Sequence, residues 1–487
     1  MNLFQSLDGH IRQSRARFES WLGRLVDVPT VSMDPARRDD VRAGAAVAAD
    51  YLASLGADAS IVETGGHPMV VGGWAPNPAW PTVAVYNHVD VQPAIEPEWT
   101  RDPFQFSIDG DLYFGRGTTD DKGPALTTLF AAHYAVEYGV PLNIQFVWEL
   151  EEEIGSPHFA AGLARATTLN STRPPRALSH PPTPRLPGQA SFHGDAPLLR
   201  RPDSVVVSDT IWLAGGRPAV PYGLRGLLAA RLTLETATRE AHSGLTGGAA
   251  RNPLAELCAV VESCVDAASG RVKIPGFYKM VRPLGKKDRA QFLRSGFQVK
   301  TFAAAHQLTK LRARDRAGVM RRLWAEPTFE VHGFVGGYTG PGVKTSIPPR
   351  AEAKVSMRLV PDQDPAAVFA LLRKYVRSLN PDVRVEPEGM LRPYVGDLGG
   401  PYVEAVRQAM RFGFGKEPAF IREGGSIGAV VTMVERWRAP VMFLGLSLPD
   451  HGYHAPNERF DWGQASGGMR AFVKYFDELS RIAGAPP

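Results

Sequence analysis

His88 and Asp90 stand two apart at the end of the apolar run TVAVYNHVD (82–90). On a strand they leave the backbone on the same side, so the carboxylate can orient the imidazole and select its tautomer, as carboxylates commonly do for metal-bound histidines. Such a pair also suits a structural histidine, and the other acids have to decide. GRGTTDDKGP (115–124) is a glycine-rich turn carrying Asp120 and Asp121 just before a helical stretch. Glycines there allow close backbone approach, but the phosphate-cradling patterns GxxxxGK[ST] and GxGxxG are both missing. ELEEEIGS (149–156) places Glu151, Glu152 and Glu153 directly after a buried-looking strand, where their mutual repulsion is costly without a cation. Asp209 closes SVVVSD (204–209), and His454 lies in HGYHAPNE (451–458). His, Asp, Glu, Asp and His from separate strand ends form a donor mixture that suits two zinc or manganese ions. With Asp120 bridging, two divalent cations balance three carboxylates and a hydroxide.

These residues need a scaffold that brings strand ends together. The runs 82–90, 143–153, 204–209 and 440–447 are continuously apolar rather than alternating, as strands buried on both faces are. Helical spacing precedes them, at Phe4, Leu7, Ile11, Phe18, Leu22 and Leu25 and again from Val41 to Leu55. The pattern predicts a mostly parallel, helix-covered sheet of the α/β class, with ligands beyond the strand C-termini. From 221 to 395 the texture changes to alternating segments. In AEAKVSMRLVP (351–361), Ala351, Ala353, Val355 and Met357 share one face while Glu352, Lys354, Ser356 and Arg358 share the other. That predicts a half-exposed antiparallel sheet with helices on one side, an α+β domain inserted into the first. The expected division is 1–220 and 396–487 for the α/β domain and 221–395 for the insertion. Residues 165–202 hold eight prolines and no sustained periodicity, and read as a loosely attached surface loop.

Composition narrows the function classes. A length of 487 residues, 44% apolar and 22% charged, describes an ordinary globular protein and excludes a disordered or collagenous chain. A net charge of +5 over so large a surface argues for neither nucleic acid nor an anionic membrane. Cys258 and Cys264 are the only cysteines, so no disulfide framework and no thiolate metal cage is available. No apolar stretch reaches membrane-spanning length, and a cytoplasmic protein is the expectation.

Taken in order, HVDVQP, GRGTTDDKGP, EEEIGS, SDT, HSGLTGG, IPPRAEAKVSMRLVP, REGGSIG and HAPNE resemble the dinuclear metallopeptidase family of aminoacylase, carboxypeptidase G, desuccinylases and cytosolic carnosinase-like dipeptidases. GRGxxDDKGP and SMRLVP are most similar to the dipeptidase branch. The resemblance covers nearly the whole chain and implies a phosphorylase/hydrolase-like catalytic domain with an inserted lid that mediates homodimerisation. It implies that His88 and Asp209 hold one metal, Glu153 and His454 the other, and that Asp120 bridges both. The metals would be zinc, with manganese or cobalt as alternatives. It makes Glu152 the general base, Asp90 the residue that orients His88, and His242 of HSG a histidine that reaches the active site of the opposite subunit. Arg358, with Thr345 and Ser426, matches contacts to the substrate carboxylate. One departure stands out: Asp209 follows Glu153 by 56 positions, about twice the spacing the resemblance implies, and the excess coincides with the proline-rich segment.

The implied reaction is hydrolysis of a dipeptide or small peptide by a metal-activated water, with deacylation of N-acyl-amino acids as the alternative. A rival comes from Gly424-Gly425-Ser426-Ile427-Gly428, which fits the GxSxG nucleophile elbow, with Asp450 and His451 following in serine-hydrolase order. That reading leaves His88, Asp120, Glu152, Glu153 and Asp209 without a purpose. A non-catalytic binding protein on the same fold would be expected to lose the base or a ligand, and none is lost.

Overall fold

A computed structural model describes residues 3–168, 198–214 and 216–482. The four apolar runs become neighbours. Strands Asn143–Glu149, Thr82–His88, Ser204–Val207 and Val441–Phe443 lie side by side in that order, and every adjacent pair is parallel. All seven residues of Thr82–His88 and of Asn143–Glu149 are buried, which is why their sequences are apolar without alternation. Val83 and Val85 face helices Leu7–Val26, Arg38–Ser54, Gly123–Glu137 and Trp462–Ile482 through Phe18, Val41, Leu126 and Phe472. Ala84 and Tyr86, one step out of phase, face helices Phe159–Ala166 and Gly428–Trp437 through Leu163 and Val430. Truncating a side chain this deep, such as Phe146, costs about 3–5 kcal/mol.

The sheet is less uniformly parallel than its apolar runs suggest. Met69–Trp74 and Asp58–Val62 extend one edge in antiparallel fashion. Glycines thin the pattern of Met69–Trp74: a Cβ on Gly72 would lie 2.1 Å from the Asp58 carbonyl oxygen, and one on Gly73, at φ +149°, 2.1 Å from that of Ile144. Close backbone approach shapes this pair alongside the buried Val62, Met69, Val70 and Val71.

A second sheet runs Glu330–Val335, Arg350–Leu359, Gly226–Glu235, Arg384–Leu391, antiparallel throughout. Ala351, Ala353, Val355 and Met357 share a core with Leu228, Leu232 and the helices Pro253–Cys264 and Pro365–Leu379. Ser356, on the opposite phase, is also buried, and its hydroxyl lies 2.7 Å from His332 Nε2. Helices Lys286–Arg294 and Arg316–Trp324 lie apart from this core, since Phe292 and Trp324 join the first core with Tyr222 and Phe420. Between the sheets, Ala219–Leu224 pairs with Ala419–Glu423 and Tyr394–Val395. Most of the proline-rich segment, 169–197, lies outside the described residues. The Leu199 N–H donates to the Ala166 carbonyl at 3.1 Å, so the residues flanking it are adjacent. Among the described residues, no helix is long and apolar enough to cross a membrane.

Candidate metal centre

Parallel pairing delivers the acids and histidines to one end of the sheet. Thr82–His88 ends on His88, Asn143–Glu149 leads into Glu152 and Glu153, and Ser204–Val207 into Asp209. Asp120 arrives from a turn whose backbone wraps one carboxylate: Glu458 Oε1 accepts from the N–H groups of Gly117 (3.0 Å), Thr119 (3.0 Å) and Asp120 (3.1 Å). The other oxygen of Glu458 pairs with Arg116 at 2.8 Å, both side chains buried. Gly117 is required here, at φ +89° with Val91 Cγ1 only 2.6 Å from where a Cβ would sit.

Asp120 lies between two clusters. Its Oδ1 is 2.9 Å from His88 Nε2, and its Oδ2 is 2.9 Å from His454 Nε2. His454 Nε2 is 3.2 Å from Glu153 Oε2, and His88 Nε2 is 3.9 Å from Asp209 Oδ2. Donor atoms of His88, Asp121 and Asp209 gather within 4.8 Å of one another, as do those of Asp120, Glu153 and His454. Asp90 organises the approach. Its carbonyl is 3.1 Å and its Oδ1 3.4 Å from His88 Nδ1, while its carboxylate accepts from the Glu152 N–H (3.2 Å), the Glu153 N–H (3.1 Å) and the Ser32 hydroxyl (2.7 Å).

The electrostatics call for cations. Asp121 Oδ1 is buried without a hydrogen bond among the described residues, and Asp120 Oδ2 is buried with the His454 ring as its neighbour. Burial, followed by Asp209, pushes the Asp121 carboxyl well above the usual carboxylate range. Burial does the same to Glu152, opposed by His88 and reinforced by Asp209, Glu153 and Glu149. His454 is held up to about 11 against its burial by Asp120 and Glu153, and surroundings that favour an imidazolium also favour a metal ion in its place. Carboxylate and imidazole donors in two adjoining sets fit two divalent ions of the zinc or manganese type.

The other expected residues separate. Glu151 turns away, accepting from the His67 N–H (2.7 Å) and the His158 N–H (3.1 Å). Arg358 and Ser426 meet, with Arg358 Nη1 donating to Ser426 Oγ at 2.9 Å. His242 is exposed on the short strand Ala241–His242, and its Nδ1 accepts from the Gly244 N–H at 3.0 Å. Thr345 is its neighbour, with its carbonyl accepting from the Ser243 N–H at 2.9 Å. No hydrogen bond or ion pair among the described residues joins either to the metal ligands. The serine-nucleophile grouping does not assemble. Ser426 donates to the Arg225 carbonyl at 2.5 Å, His451 Nδ1 accepts from the Leu448 N–H at 3.2 Å with Nε2 facing Asp461 at 3.0 Å, and Asp450 pairs with Arg459 at 2.9 Å. The GxSxG match is a turn that carries Ser426 to Arg358.

Sequence reasoning passed over several contributors. Gln92 Nε2 donates to Glu153 Oε2 at 2.7 Å, and the Tyr453 hydroxyl donates to Asp209 Oδ1 at 2.5 Å. Among the described residues Glu423 Oε2 is buried without a hydrogen bond, and burial, then Asp209, pushes this carboxyl up to about 8. Gln92 and Glu458 sit inside HVDVQP and HAPNE, so those motifs carried the signal, but nothing local indicates what each side chain would touch.

The sequence pattern of the peptidase family M20/M25/M40 matches residues 84–478, a span that holds every one of these ligands. The chain belongs to this family. It is 30% identical to the Cys-Gly metallodipeptidase DUG1 of Saccharomyces cerevisiae, over 98% of this chain and 98% of the relative. It is 28% identical to the Beta-Ala-His dipeptidase of Rattus norvegicus, over 99% of this chain and 95% of that protein. The solved structure of the di-peptidase Dug1p from Saccharomyces cerevisiae superposes with a TM-score of 0.85 at 27% identity, covering 100% of both chains. Human carnosine dipeptidase 1 gives 0.83 at 27% identity, covering 99% of this chain and 100% of its own. The M20 chain therefore carries the mixed α/β architecture of the dipeptidase branch.

Proposed function

We propose that this protein is a dinuclear metallodipeptidase. The observation that carries the reading is Asp120, whose two oxygens face the histidines of two separate ligand clusters at equal distance. His88 and Asp209 would hold one ion, Glu153 and His454 the other, with Asp120 shared; zinc is the expected metal, manganese or cobalt the alternatives. Bound there, the ions would polarise a scissile carbonyl and lower the pKa of a water. Glu152 would accept a water proton on a carboxylate oxygen and return it to the leaving amine nitrogen. Asp90 keeps the Glu152–Glu153 turn and the His88 ring in register through its carbonyl and carboxylate.

Arg358 and Ser426 would grip the free carboxylate of a small peptide, limiting substrates to short ones. His242, with Nδ1 occupied as an acceptor, carries its proton on Nε2 and would donate it to the developing oxyanion. It would do so in a second copy of the chain, with Thr345 beside it. Leu245 is 84% and Val343 91% exposed near this histidine, apolar surface that a homodimer through the 221–395 domain would cover. Free Cys258 and Cys264 fit a reducing, cytoplasmic setting.

The names of the M20 relatives favour dipeptides over N-acyl-amino acids as substrates. A panel of β-Ala-His, Cys-Gly and other dipeptides alongside N-acyl-amino acids, assayed after chelation and reloading with zinc or manganese, tests this. Hydrolysis of dipeptides restored by metal is expected. Turnover of the acylated amino acids alone, or full activity after metal removal confirmed by elemental analysis, overturns it.

A further inference from the structure

The backbone leaves the small three-stranded sheet after Leu224 and enters the antiparallel sheet at Gly226, with Arg225 as the single residue between them. Arg225 fastens the turn 424–426 at three points. Its N–H donates to the Gly425 carbonyl at 3.0 Å, its Nε donates to the Gly424 carbonyl at 3.1 Å, and its own carbonyl accepts the Ser426 hydroxyl at 2.5 Å. The fit is close: a Cβ on Gly424 would lie 2.9 Å from Arg225 Nη2. Ser426 in turn accepts from Arg358 Nη1, so the Arg225 carbonyl and the Arg358 guanidinium meet at one hydroxyl.

Only Nε of the Arg225 side chain is used. Among the described residues, neither Nη makes a hydrogen bond or ion pair, and Arg358 pairs with no carboxylate. Burial first, and the Arg358 charge second, lower Arg225 to about 10, with Glu330 opposing from a distance at which no ion pair forms. Two like charges gathered out of water are costly unless an anion joins them. The turn they hold follows directly on Glu423, whose Oε1 accepts from the Ile211 N–H at 3.4 Å, two residues after Asp209, so the cationic pair sits close to the candidate metal centre.

We propose that Arg225 is a second guanidinium of the substrate-carboxylate pocket, acting with Arg358 to select peptides with a free C-terminal carboxylate. The assignment rests on the dipeptidase reading. One Nη of Arg225 faces the carboxylate oxygen that Arg358 leaves uncovered, while Nε keeps the turn in place.

The test is calorimetric binding of two uncleavable glycyl-leucine analogues, with CH2–NH replacing the scissile amide, to the metal-loaded full-length protein. One analogue ends in a carboxylate and the other in a carboxamide. Wild type should prefer the carboxylate, and Arg225→Gln should weaken that analogue roughly tenfold or more while leaving the carboxamide within about twofold. Arg225→Lys, which keeps the charge but cannot reproduce the bond to Gly424, should recover part of the preference. Equal weakening of both analogues, or equal failure of Gln and Lys, reduces Arg225 to a fastener of the turn and overturns the proposal. Wild type that binds both analogues alike also overturns it, leaving the dipeptidase reading intact; wild type that binds neither sinks that reading and this one with it.

Discussion

The metal centre and the His242 ribbon carry histidines toward the same chemistry but are built in opposite ways. Around Asp120 each functional group is held by partners from other strand ends: Glu458 fixes the turn, Asp90 fixes His88 and the two glutamates, and Gln92 and Tyr453 fix Glu153 and Asp209. His242 stands on a two-residue strand, exposed, and among the described residues its ring is tied only to the next turn of its own chain. A cluster of repelling acids has to be over-determined by the fold to persist before a cation arrives, whereas a histidine delivered to a different molecule has to be left free. In the proposed reading the first region is complete within one chain, whereas the second acts only on another copy of it.

Substitutions at Asp120 should break the first region outright. Asp120→Ala removes the carboxylate that faces both clusters, and both metal content, read by elemental analysis, and dipeptide turnover should fall to background, a loss of at least about 10³ in rate. Glu152→Gln separates chemistry from binding. The amide cannot accept a proton, so kcat should fall by roughly 10²–10⁴ while metal content stays at the wild-type value. Equal metal loss in the two variants would mean that base and ligand have been exchanged in the assignment.

Glu458→Gln probes the support rather than the ligands. Arg116 would be left buried without its counter-charge, at a cost of about 3–5 kcal/mol, and a fall in melting temperature should accompany weaker metal retention. A variant that melts like wild type would show that the turn is held without this carboxylate.

How far the sequence revealed these regions follows from the range of the interactions. Apolar runs report burial on both faces, so the four parallel strands and the candidate ligands near their ends were legible from 82–90, 143–153, 204–209 and 440–447. The strands Asp58–Val62 and Met69–Trp74 were not, because the first lies largely unburied at the sheet edge and Gly72 and Gly73 interrupt the second. Glu458 and Arg116 stand more than 300 positions apart, and no local pattern can announce a carboxylate whose purpose is to receive three distant N–H groups. The GxSxG rival fails for a related reason: a short motif describes a turn, and what the turn presents depends on residues such as Arg225 and Arg358 that the motif does not contain.

The smallest effect in absolute activity sharpens the comparison most. If His242 serves a second copy of the chain, a protein with Glu152→Ala and one with His242→Ala, each nearly inactive, become complementary when unfolded and refolded together. Random pairing makes about half of the dimers mixed, and each mixed dimer holds one site with both groups intact, so about a quarter of all sites should recover. The expected readout is dipeptide turnover near a quarter of wild type, absent when the two proteins are refolded separately and then combined. Should His242 instead act within its own chain, every site in the mixture still lacks one group and turnover stays at the sum of the two variants. The ribbon would then have to close onto its own metal centre, and the proposed contrast between a self-sufficient cluster and a histidine lent to its neighbour would fail.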